Sequence, residues 1–453
     1  MAEIPQSPDG LLQWVLDTAA RHGATSADAL FVEGHSTEVG VRLGETEQVK
    51  RSQQKGVGLR LFKGRSTATT STSDLDAERL EALIRQTCDA ATVTADDPCA
   101  GLPDHEAFGG GGDTELDLFD SSVDELDVES ALDMALAAEA ASRDADPAIE
   151  NSEGAEMSWG GATMHFANSL GIRHSRRSSS VSLWTTPVAH RGDEMQRDYW
   201  YTWSRHRDAL MSPEEVGRRA AERALRRLGA RKPETCRVPV IFEAPMASRL
   251  LGSLAGAISG GAIYRKATYL YDKLGETIAA PSITIVDNPH LVRGPASRLY
   301  DGEGLATRPL TVVQDGVLKS YILDTYTARK IGGESTRHAS RGLSSTPAPS
   351  TSNFWMNPGE QSLEELIAST DRGLFVTELF GFGVNTVTGD YSQGASGLWI
   401  ENGKLTDAVN EFTIASTLPA MWMGIDGLAN DRVTYRATSA PSFRIDGMTL
   451  AGA

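Results

Sequence analysis

The sequence has few cysteines, the residues that bind metal through a thiolate or form disulfides. Its 453 residues include three cysteines, Cys88, Cys99 and Cys236, and no two of them form a Cys-x-x-Cys pair. Disulfide scaffolds and thiolate zinc sites depend on paired cysteines at short or regular spacings. The cysteine content therefore argues against both classes of protein and fits a reducing compartment.

Long apolar segments and an N-terminal signal are also missing. A membrane-spanning helix needs roughly 18 uninterrupted apolar residues, and even residues 246–263 are interrupted by Arg249 and four glycines. The first residues, MAEIPQSPDGLLQW, have neither a basic start nor a continuous apolar run, so a secretory signal is not expected. We expect a cytoplasmic protein with no membrane partner.

Positive charge is scarce. Lys and Arg number 43 against 61 Asp and Glu, which gives a net charge of −18, and Asp113–Asp133 contains nine acidic residues and no basic one. Nucleic acid is therefore not expected as a partner. Seven basic residues concentrate in Ser212–Lys232, where Ser212 and Pro213 predict a helix start. We interpret this segment as a solvated amphipathic helix that neutralises acidic neighbours.

The length and the apolar content of 40% predict two domains with real cores and an α+β fold. Residues 1–235 read as an α/β domain in which helices flank strands, and residues 236–453 as a β-rich, barrel-like domain with one buried helix. The predicted N-terminal strands span 28–34, 36–44, 47–54 and 56–64, followed by a meander over 156–206. The predicted N-terminal helices span 7–22, 75–92, 122–143 and 212–229.

The second half has its own local signals. Short helices are predicted near Tyr326 and Leu363. Asp315-Gly316 and Asn402-Gly403 predict tight hairpin turns, because these dipeptides favour the left-handed backbone that such turns need.

Familiar catalytic motifs are absent. The nine histidines lie at least nine residues apart, so no two can bind zinc from one helix face. The four-glycine run at 109–112 is not followed by Lys-Ser or Lys-Thr and predicts a loop. The predicted strands carry His165, His174 and His190, which we interpret as structural histidines.

One helix has the setting of an active site without its residues. A strand at 237–242 leads into a helix that begins near Pro245, and Met246, Leu250, Leu254 and Ile258 form its apolar stripe. The helix contains no His, no Cys and no acidic residue after Glu243.

Several segments, in this order, resemble the TldD/PmbA family of peptidase-associated proteins, and the resemblance extends over nearly the whole chain. They are DGEG (301–304), DGVLKSYILDTYTARKIG (315–332), STSNFWMNPG (350–359), LFGFGVNTVTGDYSQGASGLWIENGK (379–404) and APSFRIDGMTLAG (440–452).

The resemblance implies a pair of related subunits. A TldD-type subunit carries His-Glu-x-x-x-His on this helix and a further Cys ligand near the C-terminus, whereas a PmbA-type (TldE-type) subunit lacks them. Here Gly252, Ser253 and Ala257 occupy the positions of the motif's first His, its Glu and its second His, and the segment 439–447 has no Cys. The resemblance therefore implies a TldE-type chain without its own cofactor, whose zinc belongs to a TldD-type partner.

The same resemblance implies a chamber between the subunits in which unfolded or leader peptides are cut. The candidate residues for its lining lie in the segments that carry the resemblance: Asp301, Glu303, Asn353, Asp390 and Ser392. The small residues Gly252, Ala255, Gly256 and Ser259 would allow another backbone, from this chain or from the partner, to approach the helix.

Two other classes of function stay open. The chain could be a self-sufficient hydrolase that uses Glu303, Asp390 and a strand histidine. It could also be a stand-alone homodimer that binds peptides or acts as a scaffold.

Overall fold

The structure, a computed structural model, describes residues 4–109 and 114–452. It confirms the α+β class, with one large antiparallel sheet from the first half of the chain and a barrel in the second half. Apart from Gly109, the predicted four-glycine loop lies outside the described residues. Within the described ranges, no helix is long and apolar enough to cross a membrane.

The first half forms a seven-stranded sheet of order β3-β2-β1-β4-β5-β6, with β7 also paired to β5. Its strands are β1 Ser26–Arg42, β2 Glu45–Lys63, β3 Ser66–Thr72, β4 Asn151–Asn168, β5 Arg173–Arg191, β6 Glu194–Arg197 and β7 Trp200–Ser204. The helices of this half are α1 Pro8–Arg21, α2 Ala77–Val93, α3 Ser121–Asp124, α4 Val128–Arg143 and α5 Pro213–Leu225, with 3₁₀ turns at His105–Phe108 and Arg207–Ala209.

The prediction of four short strands over residues 28–64 was wrong. Strands β1 and β2 run as one hairpin from the pair Ser26 and Phe62 to the pair Arg42 and Glu45. Gly34 does not break β1 because it keeps an extended backbone and pairs with Gln54. The hairpin therefore continues through the exposed, polar half of β2, where side-chain alternation gives no signal.

The prediction of one continuous helix over 122–143 was also wrong. The chain turns between α3 and α4 because Asp127 caps the second helix, accepting a hydrogen bond from the backbone N of Ser130 at 2.7 Å. Helices α1 and α2 pack on one part of the sheet, and α4 and α5 on another. Helix α5 ends at Leu225, before the predicted Gly229.

The second half contains a closed five-stranded barrel. Its strand order is β8-β15-β16-β17-β20, and pairing of β17 with β20 closes it. A second sheet has the order β11-β10-β9-β14-β19. The strands are β8 Cys236–Phe242, β9 Ile285–Asp287, β10 Leu310–Gln314, β11 Val317–Leu318, β12 Ala339–Ser340, β13 Ala348–Pro349, β14 Phe354–Met356, β15 Arg372–Phe380, β16 Asp390–Glu401, β17 Lys404–Thr417, β18 Ile425–Leu428, β19 Thr438–Ser439 and β20 Phe443–Ala451.

The helices of the second half are α6 Ala244–Ala257, α7 Gly260–Tyr264, α8 Thr325–Ile331, α9 Leu363–Ala368 and α10 Leu418–Met423. The two predicted short helices correspond to α8 and α9. Both predicted hairpin turns have positive φ at their two central residues, 50° and 78° for Asp315 and Gly316, and 51° and 72° for Asn402 and Gly403. The boundary predicted between residues 235 and 236 stays a prediction.

A buried ion cluster joins the two halves. Asp28 on β1 is 0% exposed and binds Arg60 on β2 and Arg341 from the second half. Arg60 also lies 3.5 Å from Glu303 of the DGEG turn. Burial alone would raise the pKa of Asp28, but the charges of Arg60 and Arg341 outweigh it and hold that pKa below its ordinary value. The cluster therefore fixes the turn 301–304 against the first sheet.

A second ion cluster lies where α5 meets α6. Glu243 precedes α6 and binds Arg223 at 2.9 Å and Arg226 at 3.0 Å. Arg227 binds Glu378 on β15 at 2.5 Å. The predicted neutralising role of α5 is thus seen in these contacts. The prediction that α5 is solvated was wrong at its last turn, because Arg223 is buried between Glu243 and Asp198.

The buried cluster around Glu303 predicts a pH-dependent stability. Burial raises the pKa of Glu303 to about 7, although Arg60 lowers it. A carboxyl whose folded pKa is raised stabilises the fold at low pH, and this contribution is lost as pH rises from about 4.5 to about 7. We expect Glu303→Gln to gain stability relative to the wild type over that range, by on the order of 1–3 kcal/mol.

The measurement is urea unfolding of both proteins at several pH values. Glu45→Gln, at an exposed position of β2, is the matched control for removal of a surface carboxylate. A difference between wild type and Glu303→Gln that stays constant from pH 5 to pH 8 would contradict the assignment.

Candidate functional site

Helix α6 presents two unlike faces. The apolar stripe predicted from the sequence is buried in the core of the second half. The opposite stripe is at least partly exposed and consists of Pro245, Ser248, Arg249, Gly252, Ser253 and Gly256, spaced three and four residues apart. The helix is thus buried on one face only, and the predicted zinc-motif positions Gly252 and Ser253 lie on its open face.

The open face of α6 has free space beside it. A Cβ atom added at Gly252 or at Gly256 would meet no atom within 4 Å outside the helix's own nearby backbone. Within the described residues no other backbone therefore packs against these glycines. The predicted approach of another segment of this chain is therefore wrong at Gly252 and Gly256, whereas at Ser259 the backbone of Ile322 does approach and forms a parallel β-bridge. Contact of this face with a partner stays a prediction.

The last segment of the chain lies beside α6, as a site shared between them requires. The backbone N of Ala440 donates to Ser248 Oγ at 2.9 Å. Ser442 Oγ accepts from the backbone N of Ala244 at 2.9 Å and donates to Asp431 at 2.6 Å. Serine hydroxyls thus tie the first turn of α6 to the C-terminal segment.

Zinc does not fit the residues at this place. Catalytic zinc sites use imidazole, thiolate or carboxylate donors, whereas the motif positions hold Gly252, Ser253 and the buried Ala257. Ser253 Oγ is also directed back to the carbonyl of Arg249, 3.4 Å away. The described part of the chain contains no cluster of three His, Cys, Asp or Glu side chains that could hold a metal.

A large cavity of about 830 Å³ lies at the N-terminal end of the open face of α6. Pro245, Ser248 and Arg249 form part of its wall. The opposite walls are rich in aromatic and basic side chains from the end of the first half and from the loop before β19, among them Arg197, Tyr199, Trp200, Tyr201, Tyr435 and Arg436. Arg436 stacks on Tyr201 and donates to its hydroxyl at 3.0 Å.

This aromatic wall was not predicted from the sequence. The signal was the run DYWYTW at 198–203, which was interpreted only as part of the strand meander. Strand β7 carries four residues of this run, 200–203, and it pairs with β5 and with no other described strand. Its second edge therefore has unpaired backbone groups close to the cavity.

Of the five predicted lining residues, three are buried. Glu303 is 1% exposed, and its Oε2 accepts from the backbone N of Thr325 at 2.9 Å. Asp301 accepts hydrogen bonds from the backbone N of Glu303, Leu305 and Ala339. These contacts give both acidic residues a structural role in the turn.

Asn353 is likewise engaged in the fold. Its amide accepts from the backbone N of Ala296 and donates to the carbonyl of Asn288 and to Ser297 Oγ. It is buried, so it holds two loops together. A lining role for these three residues has no support in their contacts and remains only a prediction.

Asp390 and Ser392 are exposed at the beginning of β16. Several large apolar side chains in the same region are also exposed: Phe380, Phe382, Val387, Tyr271, Leu274 and Met423. We call these six residues the apolar patch. Backbone hydrogen bonds between Tyr269 and Thr386, and between Leu418 and Gly389, join the three segments that carry most of the patch, which are the loop after α7, the loop after β15 and helix α10.

The alternative of a self-sufficient hydrolase gains no geometric support. No hydrogen bond or ion pair of the described residues links buried Glu303 to exposed Asp390. His174 stacks on Tyr300 and lies 3.1 Å from the carbonyl of Gly304, and burial lowers its pKa. His174 therefore helps to hold the turn 301–304, which the buried ion cluster also fixes.

One group of Ser, His and Asp side chains escaped the sequence analysis. His338 Nε2 lies 3.1 Å from Asp287, and the hydroxyl of Ser352 donates to the same carboxylate. All three are almost fully buried, and the serine is bound to the aspartate rather than to the histidine. In a nucleophilic triad the serine is hydrogen-bonded to the histidine, and the aspartate binds the other side of that histidine. We therefore interpret this group as structural.

Comparison with known proteins finds family models and relatives that cover most of the chain. Models of the PmbA/TldA metallopeptidase domain 1, central domain and C-terminal domain match residues 27–91, 121–228 and 235–452, respectively. The chain is 36% identical to "Metalloprotease PmbA" of Escherichia coli O157:H7 over 446 residues, which cover 98% of this chain and 96% of that relative.

Two solved structures are similar over nearly their full lengths. A protein from Bacteroides thetaiotaomicron, described as a candidate modulator of DNA gyrase, has a TM-score of 0.92 and 29% identity and covers 100% of both chains. TldE from Thermococcus kodakarensis has a TM-score of 0.86 and covers 97% of this chain and 99% of its own, and its 20% identity makes it a similarity of fold alone. From the family models and the full-length relative, the chain belongs to the PmbA/TldD family of metallopeptidases.

Proposed function

We propose that this chain is the TldE-type, zinc-free subunit of a cytoplasmic two-subunit metallopeptidase. A TldD-type partner supplies the zinc, and this chain supplies one wall of the space that holds an unfolded or leader peptide. One observation carries the proposal. The helix that bears the zinc motif in TldD-type chains here has an open face with Gly252, Ser253 and Gly256, and within the described residues no atom lies within 4 Å of a Cβ added at either glycine, apart from the helix's own nearby backbone.

The cavity beside α6 supports a role in holding peptide. Aromatic rings and arginines line it, together with Glu153, Asp198 and Glu378. Such a surface binds side chains of several kinds, because rings offer apolar contact and guanidinium groups offer hydrogen bonds. The free edge of β7 adds backbone groups that can pair with an extended peptide.

The apolar patch supports pairing with another chain. Phe382 is fully exposed, and Phe380, Val387 and Met423 are each more than 40% exposed. Exposed apolar patches of this kind commonly mark surfaces that another protein covers. We assign the patch to the TldD-type partner, because Asp390 and Ser392, nominated for the chamber, lie next to it.

A second copy of this chain is the other candidate for the patch. That arrangement would correspond to the stand-alone homodimer, so the pairing experiments below include the chain alone.

The first prediction concerns the division of labour. We expect a TldD-type partner to lose peptide cleavage, or to change its cleavage sites, when this chain is omitted, because the substrate then lacks one wall that positions it. The measurement is peptide hydrolysis by the partner with and without this chain, with zinc quantified in each purified subunit. Equal rates and equal cleavage sites in both samples would return this chain to the scaffold class.

The second prediction concerns the open face of α6. Gly256→Leu should raise the free energy of unfolding of the isolated chain by about 0.5–1 kcal/mol, since leucine favours a helix more than glycine does. The same variant should slow peptide cleavage by the assembled pair, because the side chain fills the space beside the helix. Ala140→Leu is the matched control for adding a leucine at an exposed helix position, because Ala140 is exposed on α4. Full activity of the Gly256→Leu pair would show that this face is not part of the peptide site.

The third prediction concerns assembly. Phe382→Ser should weaken binding to the TldD-type partner at least tenfold, because it removes a large apolar contact. Val93→Ser removes an exposed apolar residue at the end of α2 and should leave binding unchanged. Binding is measured by calorimetry, and the mass of the chain alone by light scattering. A patch variant that converts a dimer of this chain to a monomer would assign the patch to self-association instead.

A further inference from the structure

A second cavity, of about 260 Å³, lies between the first sheet and the loops of the second half. It is separate in its lining from the cavity beside α6. Strand β5 contributes His174, Arg176 and the exposed Ser175 and Arg177 to its walls. Arg298 and Tyr300 contribute from the loop before the DGEG turn.

The arginines of this cavity differ in how they are neutralised. Arg341 is bound to Asp28, and Arg177 to Asp124 at 3.0 Å. The backbone of Arg176 belongs to the β4–β5 ladder, but its guanidinium forms no hydrogen bond and no ion pair with any described residue. Arg298 donates only to the carbonyl of Ser350, and its Nε is buried without a partner among the described residues. Two guanidinium groups thus line the cavity without a carboxylate in contact.

A third arginine, Arg205, lies close behind them. It donates to the carbonyls of Ser179 and Pro295, and its Nε is also buried without a partner in the described part of the chain. Burial lowers its pKa to about 10, and the charge of Arg176 adds to this shift. Burial and then the charge of Arg298 lower the pKa of Arg176 as well. The guanidinium charges of these arginines therefore repel one another where burial leaves little water to screen them.

Two carboxylates of the lining do not remove this excess charge. Asp117 binds Arg293 at 2.6 Å and His206 at 3.1 Å. Asp301 is engaged by three backbone N–H groups, and burial raises its pKa. An isolated charge in a protein interior is costly unless an opposite charge accompanies it. Asp301 and Asp287 attract Arg298 through their charges without forming an ion pair with it. No carboxylate of the described residues forms an ion pair with Arg176 or Arg205, so the cavity lacks a contacting negative group.

The remaining walls are apolar. Phe166, His174 and Tyr300 form a stack, with 3.3 Å between the ring centroids of His174 and Tyr300. Leu30, Leu118 and Met164 complete this side. A ligand that satisfied both parts of the cavity would carry a negative group at one end and a compact apolar group at the other.

We propose that this cavity binds a small organic carboxylate, with Arg176 and Arg298 holding the carboxylate and the aromatic stack holding an apolar group. A planar guanidinium matches a carboxylate through paired hydrogen bonds, which suits two unpaired arginines in one cavity. The ligand is either a free organic acid or the C-terminal residue of a peptide, since both present the same chemistry. This site is additional to the proposed peptidase subunit function and does not depend on it.

The test uses titration calorimetry on the full chain with defined probes. Phenylacetate represents the free acid, and N-acetyl-phenylalanine carboxylate represents a peptide end. Phenylacetamide, acetate and inorganic phosphate are the controls for charge, for the apolar group and for the anion type. We expect one of the first two to bind at least tenfold more tightly than each of the controls, and the tighter of the two identifies the source.

Variants then test the residues. Arg176→Met and Arg298→Met should each weaken binding at least tenfold, whereas Arg51→Met, which removes an exposed arginine from β2, should leave it unchanged. Without ligand, Arg176→Met should melt at the same temperature as the wild type or higher, because an unpaired buried charge is removed. A lower melting temperature would show that Arg176 serves the fold. Equal binding by wild type and both variants, or phosphate binding as tightly as phenylacetate, would overturn the site.

Discussion

The arrangement of this molecule depends on buried arginine–carboxylate contacts between the two halves of the chain. Asp28, Arg60, Arg341 and Glu303 fix one turn of the second half onto the first sheet. Removing Asp28 would leave the buried Arg60 and Arg341 without their shared carboxylate, which is far more costly than losing a surface ion pair. The two halves are therefore held in one relative position, and both cavities are shaped by it. Close packing holds the same turn against the first sheet: Gly304 adopts a φ of 83°, and a Cβ atom added there would lie 2.5 Å from Phe166 on β4.

Local signals predicted most of the fold, and long-range pairing accounts for the errors. The barrel class, the short helices and the Asp-Gly and Asn-Gly turns follow from residues that act on their neighbours in sequence. The length of the β1–β2 hairpin does not, because its exposed half is held by backbone pairing with β4 as well as within the hairpin. The break before α4 had a local signal in Asp127, which competed with a strong helical pattern over the whole segment.

The candidate site shows the limit of reading single residues. Asp301 and Glu303 lie in a glycine-containing turn. The sequence of this turn alone does not distinguish a buried acidic pair from an exposed one. Their partners, Arg60 and the backbone of Ala339, are far away in the sequence, so nothing local announces that the carboxylates are buried. The zinc-motif positions were more informative, since the absence of imidazole, thiolate and carboxylate groups at Gly252, Ser253 and Ala257 is a property of the residues themselves. Which face of the helix stays open required the structure.

The open face of α6 bears on why a helix without metal ligands remains in this form. Where a helix serves packing alone, overlying side chains fill its small-residue face, because protein interiors are close-packed and empty contacts lose dispersion energy. At Gly260, one turn later, a Cβ would lie 2.3 Å from Thr327, so the chain does use a glycine for close packing where it needs one. Gly252 and Gly256 instead weaken the helix without allowing any close contact among residues 4–109 and 114–452. That combination is expected where small residues keep space open for a molecule from outside the chain, which is the role that the proposed peptide site requires.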